Sequence, residues 1–164
     1  LDAGAVRRAA AGARAVVNAV APFSGPPASF DGFDPAYFRR IADAMLAVPA
    51  RLVGIGLFAT LHDPAGRPLM DDPDRFPPAL LPYARAHAAG VERLHETDAD
   101  WVVLTPPPLL TDEAPRTGRY ALGDRTVDSD RLERPLSYAD LAVAALDQIE
   151  RPTRAGQVAV YAAA

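Results

Sequence analysis

The stretch Asp98-Ala99-Asp100-Trp101-Val102-Val103-Leu104-Thr105-Pro106-Pro107-Pro108 decides the fold of this chain. Its apolar β-forming residues from Trp101 to Leu104 predict a short buried strand. The prolines that follow end the hydrogen bonding of the strand, because proline has no backbone N–H to donate. Ligands of open α/β sheets bind at the carboxyl ends of the strands. The stretch therefore predicts a stiff, apolar strand end that suits one face of a planar ring.

Predicted helices and buried strands alternate along the rest of the chain. Apolar periodicity places strands at 15–20, 51–57, 101–104 and 157–161, and helices at 2–12, from 34 onward, at 77–97 and from 137 onward. The run 15–20 is almost continuously apolar, which predicts a parallel strand covered on both faces. The alternation predicts an α/β fold with a doubly wound, mostly parallel sheet.

Local signals set the ends of several of these elements. Asp2 and Asp34 are predicted helix caps, with Pro35 at the first position of the second helix. Ser137-Tyr138-Ala139-Asp140 reads as a capping box. Gly123-Asp124 predicts a hairpin turn between short strands at 119–122 and 125–127.

Composition limits the possible functions. The chain has 164 residues, 49% of them hydrophobic, which predicts a single domain with a sizeable core. All 17 basic residues are arginine and cysteine is absent, so thiolate chemistry, a lysine Schiff base and a Tyr-x-x-x-Lys dyad are excluded. A net charge of −4 without a basic stripe argues against nucleic acid, and the three scattered histidines predict no metal site. No apolar run reaches the roughly 18 residues of a membrane span, so a cytoplasmic protein is expected.

The Trp101 stretch and the later Thr117-Gly118-Arg119-Tyr120 resemble one family in combination. They are similar to the NAD(P)H-binding, NmrA-like branch of the atypical short-chain dehydrogenases/reductases, which includes flavin and biliverdin reductases. The resemblance covers the chain from Asp2 to Tyr161. It implies a Rossmann-like fold, NADP or NAD as cofactor and a small-molecule substrate, and it leaves the oligomeric state open.

The resemblance begins in the middle of the family's domain. Members start with a strand, a glycine-rich turn and a helix that together hold the cofactor pyrophosphate. Residues 1–164 are therefore expected to be the C-terminal portion of one NAD(P)-binding domain, truncated at its amino end. Gly54-Ile55-Gly56-Leu57-Phe58-Ala59 imitates the missing turn, but turn-forming residues follow it where a helix is needed. Small residues that let the strand and the cofactor approach closely are the favoured explanation.

The resemblance also implies a cofactor site, carried over by position to the ends of three strands. These candidate residues are Val20, Ala21, Pro22, Gly56, Leu57, Phe58, Pro106, Pro107 and Pro108. Related reductases often carry a hydroxyl or a histidine where Leu57 and Pro108 stand here, which puts acid catalysis by protein groups in doubt. A plain strand terminator is the alternative role for the prolines.

Tyr83 and His87 are the candidate catalytic residues. They lie four residues apart on one face of a predicted helix. An imidazole there can donate a proton near neutral pH, and some related reductases carry a histidine close to this place. Packing of the helix on its sheet is the alternative.

These observations predict an NAD(P)H-dependent reductase that passes hydride to a flavin, a quinone or a similar small acceptor. Two alternatives stay open. One is a non-catalytic NAD(P)-binding sensor that regulates a partner. The other is a fragment that binds no cofactor.

Overall fold

A sheet with helices on both faces forms the body of the molecule, in a computed structural model that describes residues 2–23, 27, 29–127 and 129–163. Within these residues the strands are β1 (Ala15–Asn18), β2 (Arg51–Ile55), β3 (Trp101–Thr105), β4 (Leu110–Thr111), β5 (Tyr120–Leu122), β6 (Leu136–Ser137) and β7 (Gly156–Ala162). The main sheet has the order β1-β2-β3-β7-β5, with β5 antiparallel to β7 and the other neighbours parallel. The predicted mostly parallel α/β fold is confirmed.

The described part of the chain has four helices: α1 (Ala3–Ala9), α2 (Tyr37–Leu46), α3 (Leu81–His95) and α4 (Tyr138–Glu150). Helices α2 and α3 cover one face of the sheet, and α4 covers the other. Side chains alternate along a strand, so neighbouring residues of β2 serve opposite faces. Leu52 packs with α2 and α3, whereas Val53 packs with α4. None of these helices is both long and apolar enough to cross a membrane.

Two predicted caps are confirmed and one is wrong. Asp2 accepts from the amides of Gly4 and Ala5, and Ser137 Oγ accepts from the amide of Asp140 at 3.0 Å. Asp34 instead accepts from the amide of Ala36 at 2.9 Å. This local turn delays the start of α2 until Tyr37 and leaves Pro35 outside the helix.

The predicted hairpin around Gly123-Asp124 is also wrong. β5 pairs with β7, and Thr126 forms only an isolated bridge with His62. A Cβ on Gly123 would lie 2.5 Å from the Tyr161 ring. The glycine is needed for this close packing and not for a hairpin turn.

β1 is shorter and more exposed than predicted. It ends at Asn18, whose side chain accepts from the amide of Val20 at 3.1 Å. Within the described residues β1 pairs with β2 alone, and Val17 is 48% exposed. The strand has the composition for burial on both faces, yet one edge and part of one face are open.

Buried polar contacts hold the sheet together at the amino ends of its strands. Arg51 Nε donates to the carbonyl of Gln148 at 2.8 Å, and an Nη atom donates to the carbonyl of Arg154 at 2.6 Å. The same guanidinium forms an ion pair with Asp100. These contacts connect β2 to the end of α4 and to the residue before β3.

Candidate active site

A groove lies between α4 and the carboxyl ends of β1 and β2, and we call it the α4 groove. Its volume is about 540 Å³. It is lined by six of the predicted site residues: Val20, Ala21, Gly56, Leu57, Tyr83 and His87. Because the strands are parallel, their carboxyl ends meet at one edge of the sheet, where ligands of such folds bind.

Helix α4 supplies the other wall of the α4 groove along its whole length. Tyr138, Ala142, Leu146 and Ile149 recur at helical spacing on this wall. Tyr138 and Leu146 are each 57% exposed. Thirteen residues of helix extend about 20 Å, so the groove is longer than a single planar ring.

The remaining predicted cofactor residues lie outside the α4 groove. Phe58 and Pro108 line a second cavity of about 350 Å³, which we call the Phe58–Pro108 cavity. Pro106 and Pro107 are buried, Pro22 is partly exposed, and none of these three lines either cavity. The proline run thus places only its last member at a cavity wall.

The structure brings Tyr83 and His87 together in an aromatic cluster. The His87 ring stacks on Phe38 with a centroid distance of 3.6 Å, and it meets Tyr83 edge-on at 4.7 Å. Burial lowers the pKa of His87 to about 3. Burial, followed by the charge of Tyr37, raises the pKa of Tyr83. Both side chains are neutral near pH 7, so the expectation that His87 titrates there is wrong.

Gly56 marks a close approach, although not the one expected. A Cβ at this position would lie 2.5 Å from Thr105 Oγ1 and 2.8 Å from Val103 Cγ1. Side chains of β3 therefore occupy the space that a Cβ at this position would need, while Gly56 itself still lines the α4 groove. A short 3₁₀ turn, Phe58–Thr60, follows β2, which agrees with the prediction that this segment is not a phosphate-binding turn.

A buried polar cluster that the sequence did not reveal supports the turn after β2. Gln157 Nε2 donates to Thr60 Oγ1 at 2.7 Å and lies 3.3 Å from Thr105 Oγ1. Thr60 Oγ1 in turn donates to the carbonyl of Leu57 at 2.8 Å. Gln157 is 97 positions away from Thr60, so no local pattern signals the contact.

Asp140 connects the capping box at 137–140 with the motif at 117–120. Its carboxylate accepts from the amide of Gly118 at 2.8 Å and from the hydroxyl of Thr117 at 2.8 Å. Burial alone would raise the pKa of Asp140, but these hydrogen bonds outweigh it and hold the pKa below its usual value. The capping box thus fixes the loop between β4 and β5 to the start of α4.

A family model described as NAD(P)H-binding matches residues 1–152. The chain belongs to this NAD(P)H-binding family. Because the family binds NAD(P)H, the predicted cofactor class of NAD or NADP is confirmed at the level of the family. The uncharacterized protein YwnB of Bacillus subtilis is 36% identical over 86 residues, which are 51% of this chain and 40% of YwnB. The match thus spans less than half of that relative.

Solved structures confirm the Rossmann-like fold. One from Burkholderia pseudomallei, described as an exported protein, has a TM-score of 0.79 at 25% identity, covering 98% of this chain and 77% of its own. One from Streptococcus pneumoniae, described as an NADH-flavin reductase, has a TM-score of 0.73 at 20% identity, covering 96% and 75%. A short-chain dehydrogenase/reductase from Veillonella parvula in complex with NADP has a TM-score of 0.66 at 17% identity, covering 98% and 68%. The finer NmrA-like assignment stays a prediction.

Proposed function

We propose that the protein is an NAD(P)H-dependent reductase that delivers hydride to a flavin, a quinone or a similar small acceptor. The α4 groove carries the proposal, because it joins the carboxyl ends of two parallel strands to an apolar wall. Membership of an NAD(P)H-binding family supports the same reading.

The lining of the α4 groove fits the ring end of the cofactor. Leu57, Val20 and the Tyr138 ring offer flat or apolar contacts to a nicotinamide. Among the described residues that line the groove there is no arginine, so they provide no cation for the pyrophosphate. The residues described here would therefore hold the nicotinamide end, and the phosphates need a partner from elsewhere.

We further propose that residues 1–164 form the C-terminal portion of a single Rossmann-like domain. The open edge of β1 and the exposed Leu146 on the C-terminal half of α4 support this proposal, since another strand and helix would bury both. Leu146 lies toward the amino ends of the strands, because the nearby carbonyl of Gln148 accepts from Arg51, so such a cover would leave the Val20 and Tyr138 end of the groove to the cofactor. The two most similar structures named above are matched over 77% and 75% of their lengths, so each has further chain. A preceding glycine-rich turn would also supply the pyrophosphate site.

Binding and orientation are the main tasks left to the protein. A bound reduced nicotinamide supplies the hydride. The apolar walls exclude water from the ring, and neutral His87 or Tyr83 can orient a ligand by donating a hydrogen bond. Leu57 and Pro108 cannot relay a proton, so the proton that completes reduction would come from solvent.

Blocking the α4 groove tests the cofactor site. Val20 is 56% exposed at the groove, and Val20→Trp should weaken NADPH binding by the full-length protein about tenfold, measured by nucleotide fluorescence. Leu109→Trp is the matched control, because Leu109 is 51% exposed and does not line the groove. Equal NADPH affinity in the two variants would count against the site.

A catalytic role for His87 and Tyr83 remains a proposal with its own test. His87→Phe keeps a ring against Phe38 and removes the N–H donor, whereas His87→Ala removes both. Turnover should fall at least about tenfold in both variants if the donor matters. An unchanged rate in His87→Phe would leave His87 a packing residue.

The second candidate function is a non-catalytic NAD(P) sensor. One observation favours it: His87 lines the α4 groove, and burial lowers its pKa to about 3, so its imidazole is neutral near pH 7 and is a poor acid there. NADPH binding without oxidation in the presence of flavin or quinone acceptors would support the sensor. Absence of NADPH binding by the 164-residue form alone would support the fragment alternative.

A further inference from the structure

The hydrogen-bond ladder between β1 and β2 ends just before it reaches the α4 groove. Backbone N–H groups along β2 alternate in direction. Arg51 donates to the Arg14 carbonyl at 3.2 Å on the β1 side, whereas Gly56 donates to the Leu104 carbonyl at 2.9 Å on the β3 side. Residues of β2 with odd numbers therefore direct both their N–H and their C=O groups toward β1.

Two backbone groups on the β1 side have no partner among the described residues. The register pairs Asn18 with Gly54, so a longer β1 would place Val20 opposite the next step of β2. Val20 would then accept from the Leu57 amide and donate to the Ile55 carbonyl. The Val20 amide instead donates to Asn18 Oδ1 at 3.1 Å, in a local turn that ends β1. No described residue bonds to the Leu57 N–H or to the Ile55 C=O.

The Leu57 N–H group has a fixed direction. Leu57 is extended, with φ −112° and ψ 129°, so it continues the alternation of β2. The residue before it, Gly56, is still bonded to β3. The Leu57 carbonyl accepts from the Thr60 hydroxyl at 2.8 Å, and Gln157 donates to that hydroxyl at 2.7 Å. A donor that is fixed before a ligand arrives loses little conformational entropy on binding.

Both unpaired groups belong to residues that line the α4 groove. Ile55 and Leu57 are partly exposed there, and Val20 beside them is 56% exposed, so a ligand in the groove can reach this edge of β2. A ligand that covers the donor and the acceptor without bonding to them leaves both unsatisfied, which costs free energy. A primary carboxamide carries an acceptor oxygen and an NH₂ donor on one carbon, so it can bond to both groups.

We propose that the edge of β2 at Ile55 and Leu57 binds the carboxamide of the nicotinamide. The carboxamide oxygen accepts from the Leu57 N–H, and its NH₂ group donates to the Ile55 carbonyl. This inference rests on the proposed function and names the part of the cofactor that the α4 groove recognises. Asn18 is a positioning residue, because its bond to the Val20 amide keeps Val20 from occupying both groups.

Two analogues of NADP⁺ test the donor and the acceptor separately, with binding to the full-length protein measured by calorimetry. The 3-acetylpyridine analogue keeps the carbonyl oxygen and lacks the NH₂ group, so it should bind about fivefold more weakly than NADP⁺. The nicotinic acid analogue places a carboxylate oxygen against the Ile55 carbonyl and should bind more weakly still. Equal affinity for NADP⁺ and the 3-acetylpyridine analogue would overturn the inference.

Asn18→Ala tests whether the open edge of β2 is the site of this preference. Without the Asn18 acceptor, Val20 is free to bond to Ile55 and Leu57, and the ratio of the two affinities should fall toward one. Asn18→Asp keeps an acceptor oxygen and should keep a ratio of about fivefold. NADP⁺ and the 3-acetylpyridine analogue carry the same charges, so the charge of the introduced Asp does not change the ratio. An unchanged ratio in Asn18→Ala would also overturn the inference.

Amide hydrogen exchange in the wild-type protein does not depend on the folding of any variant. Saturating NADP⁺ should slow exchange of the Leu57 amide at least about fivefold. The Gly56 amide is the internal reference, because it is already bonded to Leu104 and should change little. Leu57 exchange that is the same with and without NADP⁺ would rule out the proposed bond. Failure of the wild-type protein to bind NADP⁺ at all would instead contradict the proposed function.

Discussion

On one face of the sheet α2 and α3 bury most of their apolar side chains, whereas on the other face α4 leaves a groove beside β1. Phe38, Ile41 and Leu94 on the first face are between 5% and 7% exposed. Val17 and Leu146 on the second face are 48% and 57% exposed. Both faces carry apolar side chains, so hydrophobicity alone does not distinguish a buried core from a binding surface. The two faces differ in whether another helix covers the apolar surface.

The largest effect is expected on the closed face. Phe38→Ala removes a ring that contacts Tyr37, Tyr83 and His87, and it should lower the free energy of unfolding by about 4 kcal/mol. Urea unfolding measures the change. A loss below about 1 kcal/mol would show that this face is not packed as described.

Asp140 tests the anchoring of α4 on the open face. Asp140→Asn weakens the charged hydrogen bonds to Thr117 and Gly118 and should cost about 2 kcal/mol at pH 7. The folded pKa of Asp140 lies below its unfolded value, so its contribution is present above the unfolded pKa and is lost as the pH falls through the folded pKa. The free energies of unfolding of wild type and Asp140→Asn should therefore become more similar at acidic pH.

Thermal unfolding at pH 7 and pH 3 measures this narrowing. Asp112→Asn is the control, since Asp112 is exposed and makes no described contact with Thr117, Gly118 or α4. A difference that stays constant between the two pH values would contradict the role of the ionised carboxylate.

His87 gives a pH test at the boundary between the closed face and the α4 groove. Its folded pKa is about 3 against an ordinary value of 6.5, so the unfolded chain takes up a proton that the folded chain does not. Stability from this neutral histidine is complete above pH 6.5 and is lost as the pH falls toward 3. Between pH 7 and pH 5 the wild type should therefore lose about 2 kcal/mol of its free energy of unfolding through His87, and His87→Phe should not show this loss. The same pH slope in both proteins would show that burial does not lower the pKa of His87.

The smallest effect is expected on the open face of the 164-residue chain. Leu146→Ala should change its stability by less than about 0.5 kcal/mol, because the side chain is mostly exposed. In a full-length protein with a preceding strand and helix, the same change should cost about 1 kcal/mol or more. Equal small effects in both forms would contradict the proposed domain division.

Elements with strong local signals were predictable from the sequence. The buried strands around Leu52 and Trp101 and the Ser137 cap follow from periodicity and capping chemistry over a few residues. The start of α2 was predicted too early, because the Asp34 side chain accepts from the amide of Ala36 in a local turn that precedes the helix. The hairpin prediction was wrong because Gly123 is required for close packing against the Tyr161 ring, and Tyr161 is far along the chain.

The candidate site was predictable in its position and not in its chemistry. Val20, Gly56 and Leu57 share a cavity because parallel strands end at one edge, which topology alone dictates. The protonation of His87 depends on its burial beside Phe38, and the support of Leu57 depends on Gln157. Contacts between residues far apart in the chain produce no periodic pattern in the sequence, so sequence analysis does not find them.

Arg51 connects three segments at the amino edge of the sheet through one buried guanidinium. Because these contacts hold the amino ends of the strands together, the strands have little freedom to slide past one another. An incoming ligand would therefore strain the loops at the carboxyl ends of the strands rather than the strands themselves. Affinity should accordingly depend on how costly those loops are to reorder.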